Sequence, residues 1–447
     1  MNASNLLSIA THFIQARWRW HSLRGTALER YQEQHAQQIV RYAAQHSPFY
    51  REHWAGHDLQ QWRELPTIDK SLMMEHFDTF NTRGIAREAA MDVALRAERD
   101  RNFAPTLDGI TVGLSSGTSG HRGLFLANPW EQAAWAGTIL ARTLHSVRPR
   151  QLRVAFFLRS NSNLYEQVGG VLIQFRYFDL MLPLEEAISA LNSFQPDIVV
   201  GPPSLLGLLA DAQSRGVLHM RPERLISVAE VLEPHDKKRL ETVFQVPVHQ
   251  IYQCTEGLLA VSCAHGSLHI QEDVVAMQFE PLSDSNDDRK RVIPIVTDMW
   301  RRTQPIIRYR LNDVLQLEAQ NCPCGSPFRV IRTIEGRCDD ICSFESLTGG
   351  TRPFFPDTIR RMILLASPDI ADYQVVQEQP GQLHIYLSLA PTASSFDIVK
   401  QAVQESVDTT IAHYDCRPAH VIIEQGLPSQ APGVKRRRVR CSGNGHL

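Results

Sequence analysis

Apolar residues in the first hundred positions recur every three or four residues, which is the spacing of an amphipathic helix. The clearest case is the stretch 28–47, where the helix is predicted to stop because Pro48 disfavours helical backbone in the residue before it. Thr67 and Asp69 are both candidate caps for a further helix. Residues 1–105 are therefore predicted to be mainly helical.

The pattern changes after residue 150, where short apolar runs alternate with helical segments, as in an α/β layered domain. From about residue 266 strands dominate. After residue 337 the chain predicts a small α+β unit of two or three strands and two helices. The predicted fold is thus mixed α/β, with a large N-terminal domain (1–336) and a small C-terminal domain (337–447).

Composition narrows the classes of function. The 447 residues carry a formal net charge of −2 and are 43% hydrophobic, so a large core is available and a basic nucleic-acid surface is not expected. The chain has no run of 18 apolar residues and no early basic region before an apolar stretch, so we expect neither a membrane span nor a signal peptide. We therefore expect a cytoplasmic protein. Its eight cysteines are expected to be thiols or metal ligands rather than disulfides.

Residues 112–123 read VGLSSGTSGHRG and form a loop rich in Gly, Ser and Thr. Such a loop can turn backbone N–H groups and hydroxyls toward a phosphate, because glycine tolerates the required conformations. It matches neither the P-loop pattern nor the dinucleotide pattern G-x-G-x-x-G. Taken alone, it indicates either a phosphate site or an exposed turn.

A second stretch, IYQCTEG at 251–257, follows a predicted strand and supplies three kinds of ligand group. Tyr252 can stack on a nucleobase, Thr255 can donate to a phosphate, and Glu256 can hold Mg²⁺, which prefers oxygen ligands shared with phosphates. Further on, the carboxylate of Asp313 in PIIRYRLND can accept from both ribose hydroxyls.

Four motifs in this order, SSGTSGHRG, YQCTEG, RYRLND and EGRCDD, resemble the adenylate-forming superfamily of acyl-CoA synthetases, luciferases and peptide-synthetase adenylation domains. SPFYREHW, LPTIDK, PIIRYRLND and CPCG resemble one branch of it, the phenylacetate–CoA ligase and coenzyme F390 synthetase-like (CapK-like) group. The resemblance spans residues 40–435. It implies a large domain with layered sheets and a barrel-like part, followed by a small mobile domain.

The resemblance also implies roles for individual residues. The ATP phosphates would be wrapped by the first loop, the adenine and ribose would be held by residues further along, and a hinge would join the two domains. These residues are Ser115, Ser116, Gly117, Thr118, Ser119 and Gly120 for the phosphates; Ala229, Glu230 and Tyr252 for the adenine; Thr255 for the α-phosphate; Glu256 for magnesium; Arg310 and Asp313 for the nucleotide and its ribose; and Arg337 with Asp339 at the hinge.

The chain departs from the family pattern at two places. Many members continue the first loop with proline, lysine and glycine, where this chain has Arg122, which keeps the positive charge and adds a planar fork of donors. The C-terminal catalytic lysine of the family usually follows a glycine directly. Here Val434 intervenes before Lys435, our candidate, and Arg436 is a rival. The run KRRRVR also fits a solvated basic tail.

The implied reaction is ATP-dependent adenylation of a carboxylic acid to acyl-AMP, followed by transfer to a thiol, with coenzyme A as the expected acceptor. An aryl or arylacetic acid suits the branch and the aromatic segments around Trp130 and Phe156. The alternatives are transfer to a carrier protein or an amine, transfer of AMP to a hydroxyl, and a nucleotide-binding homologue without activity. Expected partners are a small carboxylic acid, with an acyl carrier protein or a second copy of the chain as further candidates.

Cysteine and histidine spacing indicates a metal site. Cys263 and His269 lie on one hairpin-like element, and Cys322 and Cys324 on another, which suits a closed tetrahedral Zn²⁺ site. His265 is an alternative ligand, and buried reduced thiols are the other interpretation. Being closed, such a site would be structural.

Overall fold

The chain forms two compact units, of which the first contains residues 1–311 and 316–332 and the second residues 312–315 and 333–447. The predicted boundary at residue 337 stays a prediction. Within the part of the chain that the structure describes, no helix is long and apolar enough to cross a membrane. The computed structural model describes residues 3–100, 105–114, 122–144, 150–158, 173–180, 183–282, 291–390, 393, 395–429 and 437–441.

The first unit begins with helices, as the sequence predicts. One 3₁₀ helix, Leu59–Glu64, lies among six α-helices: α1 (Ala3–Ser22), α2 (Thr26–His46), α3 (Pro48–His53), α4 (Lys70–Glu75), α5 (Phe77–Phe80) and α6 (Arg87–Arg99). Helix α2 ends where Pro48 requires it, and Ser47 is extended at φ −107°, ψ 116°. Of the two candidate caps, Asp69 is the one used, since its Oδ1 accepts from the Leu72 N–H at 2.9 Å.

A three-stranded antiparallel sheet follows, built from β1 (Thr106–Leu107), β2 (Ile110–Leu114) and β3 (Leu124–Ala127) in that order. Leu114 pairs with Leu124, so the candidate phosphate loop connects two adjacent strands at their paired ends. The loop residues Ser115–Gly120 themselves lie outside the described residues. Apolar residues of the sheet, such as Val112 and Leu126, pack with Phe77 and with α6 in one core cluster.

Most strands of a large mixed sheet, the central sheet, lie in the first unit, whereas β14 and β15 each contribute residues to both units. Its strands run in the order β11-β12-β14-β15-β10-β9-β8-β7-β6-β4-β5, and β13 pairs with β12. Strands β4 to β8 pair with one another in parallel. The pairs β8–β9, β9–β10, β11–β12 and β12–β13 are antiparallel. The strands are β4 (Leu152–Leu158), β5 (Ile173–Asp179), β6 (Ile198–Gly201), β7 (Arg224–Ser227), β8 (Val248–Cys254), β9 (Gly257–Ser262), β10 (Leu268–Ile270), β11 (Val275–Pro281), β12 (Arg291–Asp298), β13 (Tyr309–Arg310), β14 (Asp313–Leu317) and β15 (Val330–Arg337).

The inner parallel strands β4, β6 and β7 are largely buried on both faces, as strands covered by helices must be. Phe157 packs in one core with residues of α8 (Leu184–Phe194), α9 (Pro203–Ser214) and α10 (Pro234–Phe244). Phe156, the preceding residue, packs in a second core on the opposite face. The alternating strands and helices predicted from the sequence are confirmed, and with them the mixed α/β fold.

Helix α1 is fixed to α7 (Pro129–Thr143) by close packing and by buried charge. A side chain at Gly137 would come within 2.6 Å of the His12 Cβ, so the two helices approach as closely as only glycine permits. Asp273 is fully buried between two arginines: Arg19 donates at 2.8 Å, and Arg142 donates to both carboxylate oxygens at 2.9 and 2.8 Å. Burial alone would raise the pKa of Asp273, but Arg142 and Arg19 hold it below its usual range.

The second unit contains more strands than the two or three expected. A four-stranded sheet has the order β20-β19-β18-β21, and β16 pairs with β17 beside it. Sequence reasoning did not predict β21, because the basic residues around it do not show the alternating apolar pattern of a strand. The elements are β16 (Cys342–Glu345), β17 (Thr351–Phe354), α11 (Pro356–Leu364), β18 (Ile370–Gln377), β19 (Gln382–Leu389), α12 (Phe396–His413), β20 (His420–Gln425) and β21 (Val439–Cys441).

Candidate functional site

Three adjacent parallel strands end at one edge of the central sheet. Gly201 of β6 pairs with Ser227 of β7, which pairs with Gln250 of β8. The loops after β6 and β7 therefore start side by side, and β8 continues past them to Cys254, at the carboxyl edge where ligands bind in open α/β sheets. Two of the predicted site segments, 228–230 and 252–256, are brought together at this edge.

The loop after β7 has an unusual backbone. Ala229 adopts a positive φ of 69°, a conformation that non-glycine residues seldom occupy and that often marks a functional loop. The adjacent Glu230 side chain accepts from the Ser204 N–H at 3.2 Å, at the N-terminus of α9, where the helix dipole favours a negative charge. Tyr252 lies half-buried on the neighbouring strand. All three residues expected beside an adenine thus lie at the carboxyl edge.

A tight hairpin between β8 and β9 presents Thr255 and Glu256. Cys254 and Gly257 pair on either side of them, and Glu256 is only 7% exposed. The hydroxyl of Tyr309 hydrogen-bonds the Glu256 carboxylate, and burial together with this carboxylate raises the pKa of Tyr309. A buried carboxylate held by a neutral phenol is an oxygen donor of the kind that Mg²⁺ accepts.

The hairpin is held from behind by the segment after β12. Asp298 Oδ1 accepts from the N–H groups of Trp300 and Arg301 at 2.9 and 3.1 Å, and the Arg301 guanidinium donates to the Thr255 carbonyl. A side chain at Gly257 would lie 3.1 Å from Asp298 Oδ2, so the hairpin backbone rests directly on this carboxyl. Burial raises the pKa of Asp298 to about 6, although Arg301 opposes the shift.

The same segment is fixed to α7. Asn128 caps α7 in a capping box with Glu131, and the Glu131 Oε1 accepts from the Arg302 and Thr303 N–H groups at 2.6 and 2.8 Å. Gln304 then bridges to β3, accepting from the Leu126 N–H at 2.9 Å. Sequence reasoning missed this framework. The sequence clue to this framework was the pattern N-P-W-E at 128–131, which is typical of a capping box at the start of an apolar helix.

Arg122 is engaged by a carboxylate. Its guanidinium donates to both oxygens of Glu98 on α6 at 2.6 and 3.1 Å, and the two side chains are 27% and 19% exposed. The predicted phosphate contact of Arg122 stays a prediction. The two hydrogen bonds to Glu98 fix the orientation of the guanidinium at the C-terminal end of the loop. Arg310 is paired in the same bidentate way with Glu280, at 2.8 and 2.9 Å.

In the second unit, two predicted residues lie close together. The Arg337 Nε is 4.0 Å from the Asp313 Oδ1, and the Cys338 N–H donates to the Asn312 carbonyl at 2.9 Å. Asp339 is the middle residue of a 3₁₀ helix, Cys338–Asp340, and its side chain lies outside the described part of the chain.

The basic C-terminal run is partly buried rather than a solvated tail. Arg437 donates to Asp340 at 2.8 Å and Arg438 to Asp372 at 3.0 Å, with arginine side chains only 18% and 16% exposed. Burial raises the pKa of Asp340, and Arg437 opposes this. Sequence reasoning missed both pairs. Lys435 and its rival Arg436 precede them and lie outside the described residues.

The predicted metal cluster is brought together. The ligand atoms of Cys263, His269, Cys322 and Cys324 all lie within 4.8 Å of one another. The two sulfurs of Cys263 and Cys322 are 3.7 Å apart, and the Cys324 sulfur lies 3.4 Å from the His269 Nε2. A tetrahedral zinc with its usual bond lengths separates two sulfurs by about 3.8 Å and sulfur from nitrogen by about 3.6 Å.

The surroundings of this cluster complete the fit. The His269 Nδ1 lies 2.8 Å from the Phe328 carbonyl, which leaves Nε2 to face the sulfurs, as in metal-binding histidines. Burial lowers the pKa of His269 and so favours the neutral, metal-binding form. Trp20 covers the imidazole edge-on at 5.1 Å. The alternative ligand His265 is not part of the cluster formed by the described residues.

The chain is modestly similar in sequence, and clearly similar in structure, to known proteins. No family model matches the chain. It is 23% identical over 227 residues to protein CapK of Staphylococcus aureus (50% of this chain, 48% of that protein) and 25% identical over 217 residues to phenylacetate–coenzyme A ligase of Thermus thermophilus (44% and 46%). It is 27% identical over 143 residues to indoleacetate–lysine synthetase of Pseudomonas savastanoi (31% and 34%). The matches thus span half or less of each curated relative.

Solved structures agree over nearly the whole chain. A 2-hydroxyisobutyryl-CoA ligase in complex with 2-HIB-AMP superposes with a TM-score of 0.70 at 17% identity, covering 95% of this chain and 91% of that one. The chain therefore has the fold of this adenylate-forming ligase. An acyl acid amido synthetase, GH3.15, shares this adenylate-forming fold with a TM-score of 0.62 at 12% identity, covering 93% and 92%. The resemblance predicted from the sequence is confirmed as similarity to CapK and to a phenylacetate–CoA ligase, and the predicted fold is confirmed by the structural match.

The elevated pKa of Asp298 predicts a pH-dependent cost of folding. Because the folded pKa of Asp298 lies above the unfolded value, the native protein binds this proton more tightly than the unfolded chain does. The contribution of Asp298 to the free energy of unfolding is therefore greatest below about pH 4 and falls as pH rises through about 6, by up to about 3 kcal/mol. Asp298→Asn keeps an acceptor for Trp300 and Arg301 but cannot ionise. Thermal unfolding should show the melting temperature of wild type falling relative to the variant between pH 4.5 and 7.5. A difference that does not change with pH would contradict the assignment.

Proposed function

We propose that the protein adenylates a carboxylic acid, aryl or arylacetic in kind, and transfers the acyl group to the thiol of coenzyme A. The observation that carries the proposal is the carboxyl edge of the central sheet, where Ala229, Tyr252 and the buried Glu256 are presented by adjacent strands. The adenylate-forming fold of the chain supports it. The phenylacetate–CoA ligase among its relatives supports the acid and the acceptor.

The first half-reaction would join a carboxylate oxygen to the α-phosphorus of ATP and release pyrophosphate. The attacking carboxylate is already ionised at neutral pH, so no general base is required, and catalysis reduces to positioning and charge neutralisation. Tyr252 would stack on the adenine beside Ala229, and Thr255 would donate to the α-phosphate. Glu256 would hold the magnesium ion, which neutralises charge on the phosphates. The loop Ser115–Gly120 would surround the same phosphates.

The second half-reaction would join the coenzyme A sulfur to the acyl carbon and release AMP. Lys435 would stabilise the first step, and a rotation about Asp339 would then expose the acyl-AMP to the thiol. The nearby ion pair of Arg437 with Asp340 supports this placement, since it fixes the chain two residues beyond Lys435 to the 3₁₀ helix that contains Asp339. Asp313 and Arg337 would contact the nucleotide and the hinge.

An amine acceptor is the second candidate. It is favoured by the indoleacetate–lysine synthetase among the sequence relatives and by the acyl acid amido synthetase among the structural ones. The first half-reaction is the same in both cases, because the acceptor enters only after the acyl-AMP has formed. Transfer to an acyl carrier protein differs from these candidates only in the thiol that accepts the acyl group. Transfer of AMP to a hydroxyl is a different reaction, because the hydroxyl oxygen itself joins the α-phosphorus, pyrophosphate leaves and no acyl-AMP forms.

The experiment is acid-dependent exchange of labelled pyrophosphate into ATP, with a panel of aryl, arylacetic and short aliphatic acids. Mass spectrometry of products then follows with coenzyme A or lysine supplied. We expect exchange with at least one aromatic acid and a thioester product. Glu256→Gln should reduce exchange by at least about a hundredfold because it removes the metal ligand, whereas the exposed Glu318→Gln should not. Absence of exchange with every acid would contradict the proposal, and an amide product would select the second candidate.

The pairing of Arg122 with Glu98 allows the phosphate role of Arg122 to be tested sharply. If Arg122 contacts ATP, Arg122→Ala should raise the KM for ATP by at least about tenfold, the worth of one charged hydrogen bond. Glu98→Gln removes the competing carboxylate charge and should leave this KM unchanged or lower it. If Arg122 serves only to anchor α6, both variants should raise the KM alike. Steady-state kinetics of pyrophosphate exchange distinguishes the two outcomes.

We also propose that the cluster of Cys263, His269, Cys322 and Cys324 holds a structural Zn²⁺. All four tetrahedral positions would be filled by the chain, so the ion would have no position open to substrate. It would join the end of β9, the strand β10 and the turn that contains Cys322 and Cys324.

Metal analysis of protein purified without chelators should find about one equivalent of zinc. Cys322→Ser should lose the zinc and lower the melting temperature, while Cys254→Ser, a half-buried cysteine outside the cluster, should retain it. Less than about half an equivalent of zinc in the wild type would refute this assignment.

A further inference from the structure

A cavity of about 580 Å³ opens between α1, α2, the first turn of α7 and the segment 299–302. Its size falls in the range of roughly 300–1,000 Å³ that small-molecule sites occupy. None of the residues at the carboxyl edge of the sheet, where ATP is proposed to bind, lines this cavity. We call it the N-terminal pocket.

One wall of the N-terminal pocket is aromatic. The rings of Trp130 and Trp300 are nearly parallel, with an interplanar angle of 18° and centroids 5.7 Å apart. The His12 imidazole meets both of them edge-on, at 5.2 and 5.7 Å. Trp130 is 46% exposed, an unusual cost for so large an apolar surface. A planar ring placed against this wall would cover it and gain offset or edge-to-face stacking.

The charge of the pocket selects the sign of a ligand. Among the described residues that line it, none is acidic, and Arg302 brings a permanent positive charge. The Arg302 guanidinium lies over the Tyr42 ring at 5.3 Å and, within the described part of the chain, pairs with no carboxylate. His12 and His35 supply two further nitrogen-containing rings. The pocket is therefore suited to an anion rather than a cation.

A buried polar group in the pocket also lacks a partner. His12 is 6% exposed, and its Nδ1 finds no hydrogen-bond partner among the described residues. Buried side-chain nitrogens are nearly always hydrogen-bonded, because leaving one unpaired costs free energy. Burial lowers the pKa of His12, with Arg19 adding to the effect, so the ring is neutral at pH 7 and offers one donor and one acceptor.

We propose that the N-terminal pocket binds a small aromatic carboxylate. The ring of the ligand lies against Trp130 and Trp300, and its carboxylate faces Arg302. The sequence indicated the Trp130 segment for the acid that is adenylated, and we assign Trp130 instead to this pocket, a binding site separate from the carboxyl edge. The assignment does not depend on which acid is adenylated there. Its wall is connected to that edge, since Arg301, next to Trp300 and Arg302, donates to the Thr255 carbonyl.

The test uses the full chain without ATP and phenylacetate as the probe, with binding measured by calorimetry and by saturation-transfer NMR. Trp130→Ala should weaken phenylacetate binding at this site by at least about tenfold because it removes half of the aromatic wall. The matched control is Trp18→Ala, which removes a 61% exposed tryptophan of α1 outside the pocket and should bind as wild type. Arg302→Leu should weaken phenylacetate binding but not that of the neutral 2-phenylacetamide.

Three results would each overturn the proposal. The first is no phenylacetate binding by the wild type up to about 10 mM, a weak affinity even for a fragment-sized ligand. The second is equal affinity of the Trp130→Ala and Trp18→Ala variants for phenylacetate, and the third is equal weakening of acid and amide binding by Arg302→Leu. Pyrophosphate exchange is measured separately on each variant. Wild type that binds phenylacetate at Trp130 but exchanges with no acid supports the pocket and contradicts the proposed function. Wild type that catalyses acid-dependent pyrophosphate exchange but does not bind phenylacetate at Trp130 supports the proposed function and contradicts the pocket.

Discussion

The buried charge of Asp273 is the constraint on which much of the first unit depends. A carboxylate without solvent is tolerated only when cations and hydrogen-bond donors surround it, and here Arg19 of α1 and Arg142 of α7 both do so. Removing Asp273 would leave both buried guanidinium groups without their counter-charge, at a cost of about 3–5 kcal/mol in comparable cases. The pairing therefore specifies how two helices from distant parts of the sequence meet the sheet.

The influence of this charge extends in two directions. Gln271 accepts from Arg142 and donates to the His269 carbonyl, which connects the ion pairs to the cysteine–histidine cluster. In the other direction, the first turn of α7 contains Glu131, which fixes the segment that in turn holds the Thr255 hairpin. A structural cluster and a candidate catalytic turn thus share one support, although neither contacts Asp273 itself.

The sequence was informative where the physical rule is local. Helix α2 stops at Pro48, Asp69 caps α4, and residues within a few positions of one another in the stretch 251–257 form one hairpin. The cysteine–histidine cluster was accessible because metal ligands are few residue types with restricted spacing. What could not be read were pairings across long separations. Glu98 with Arg122, and Asp340 with Arg437, each join ordinary surface-type residues whose burial only the folded chain defines.

The separation of Arg19 from Asp273 along the chain also determines when their ion pair can form during protein synthesis. The two residues are 254 positions apart, so at roughly 5–20 residues per second a ribosome adds the carboxylate more than about ten seconds after the arginine. Until then α1 has no counter-charge and cannot complete its packing. The first element to be synthesised is consequently among the last of its unit to be secured.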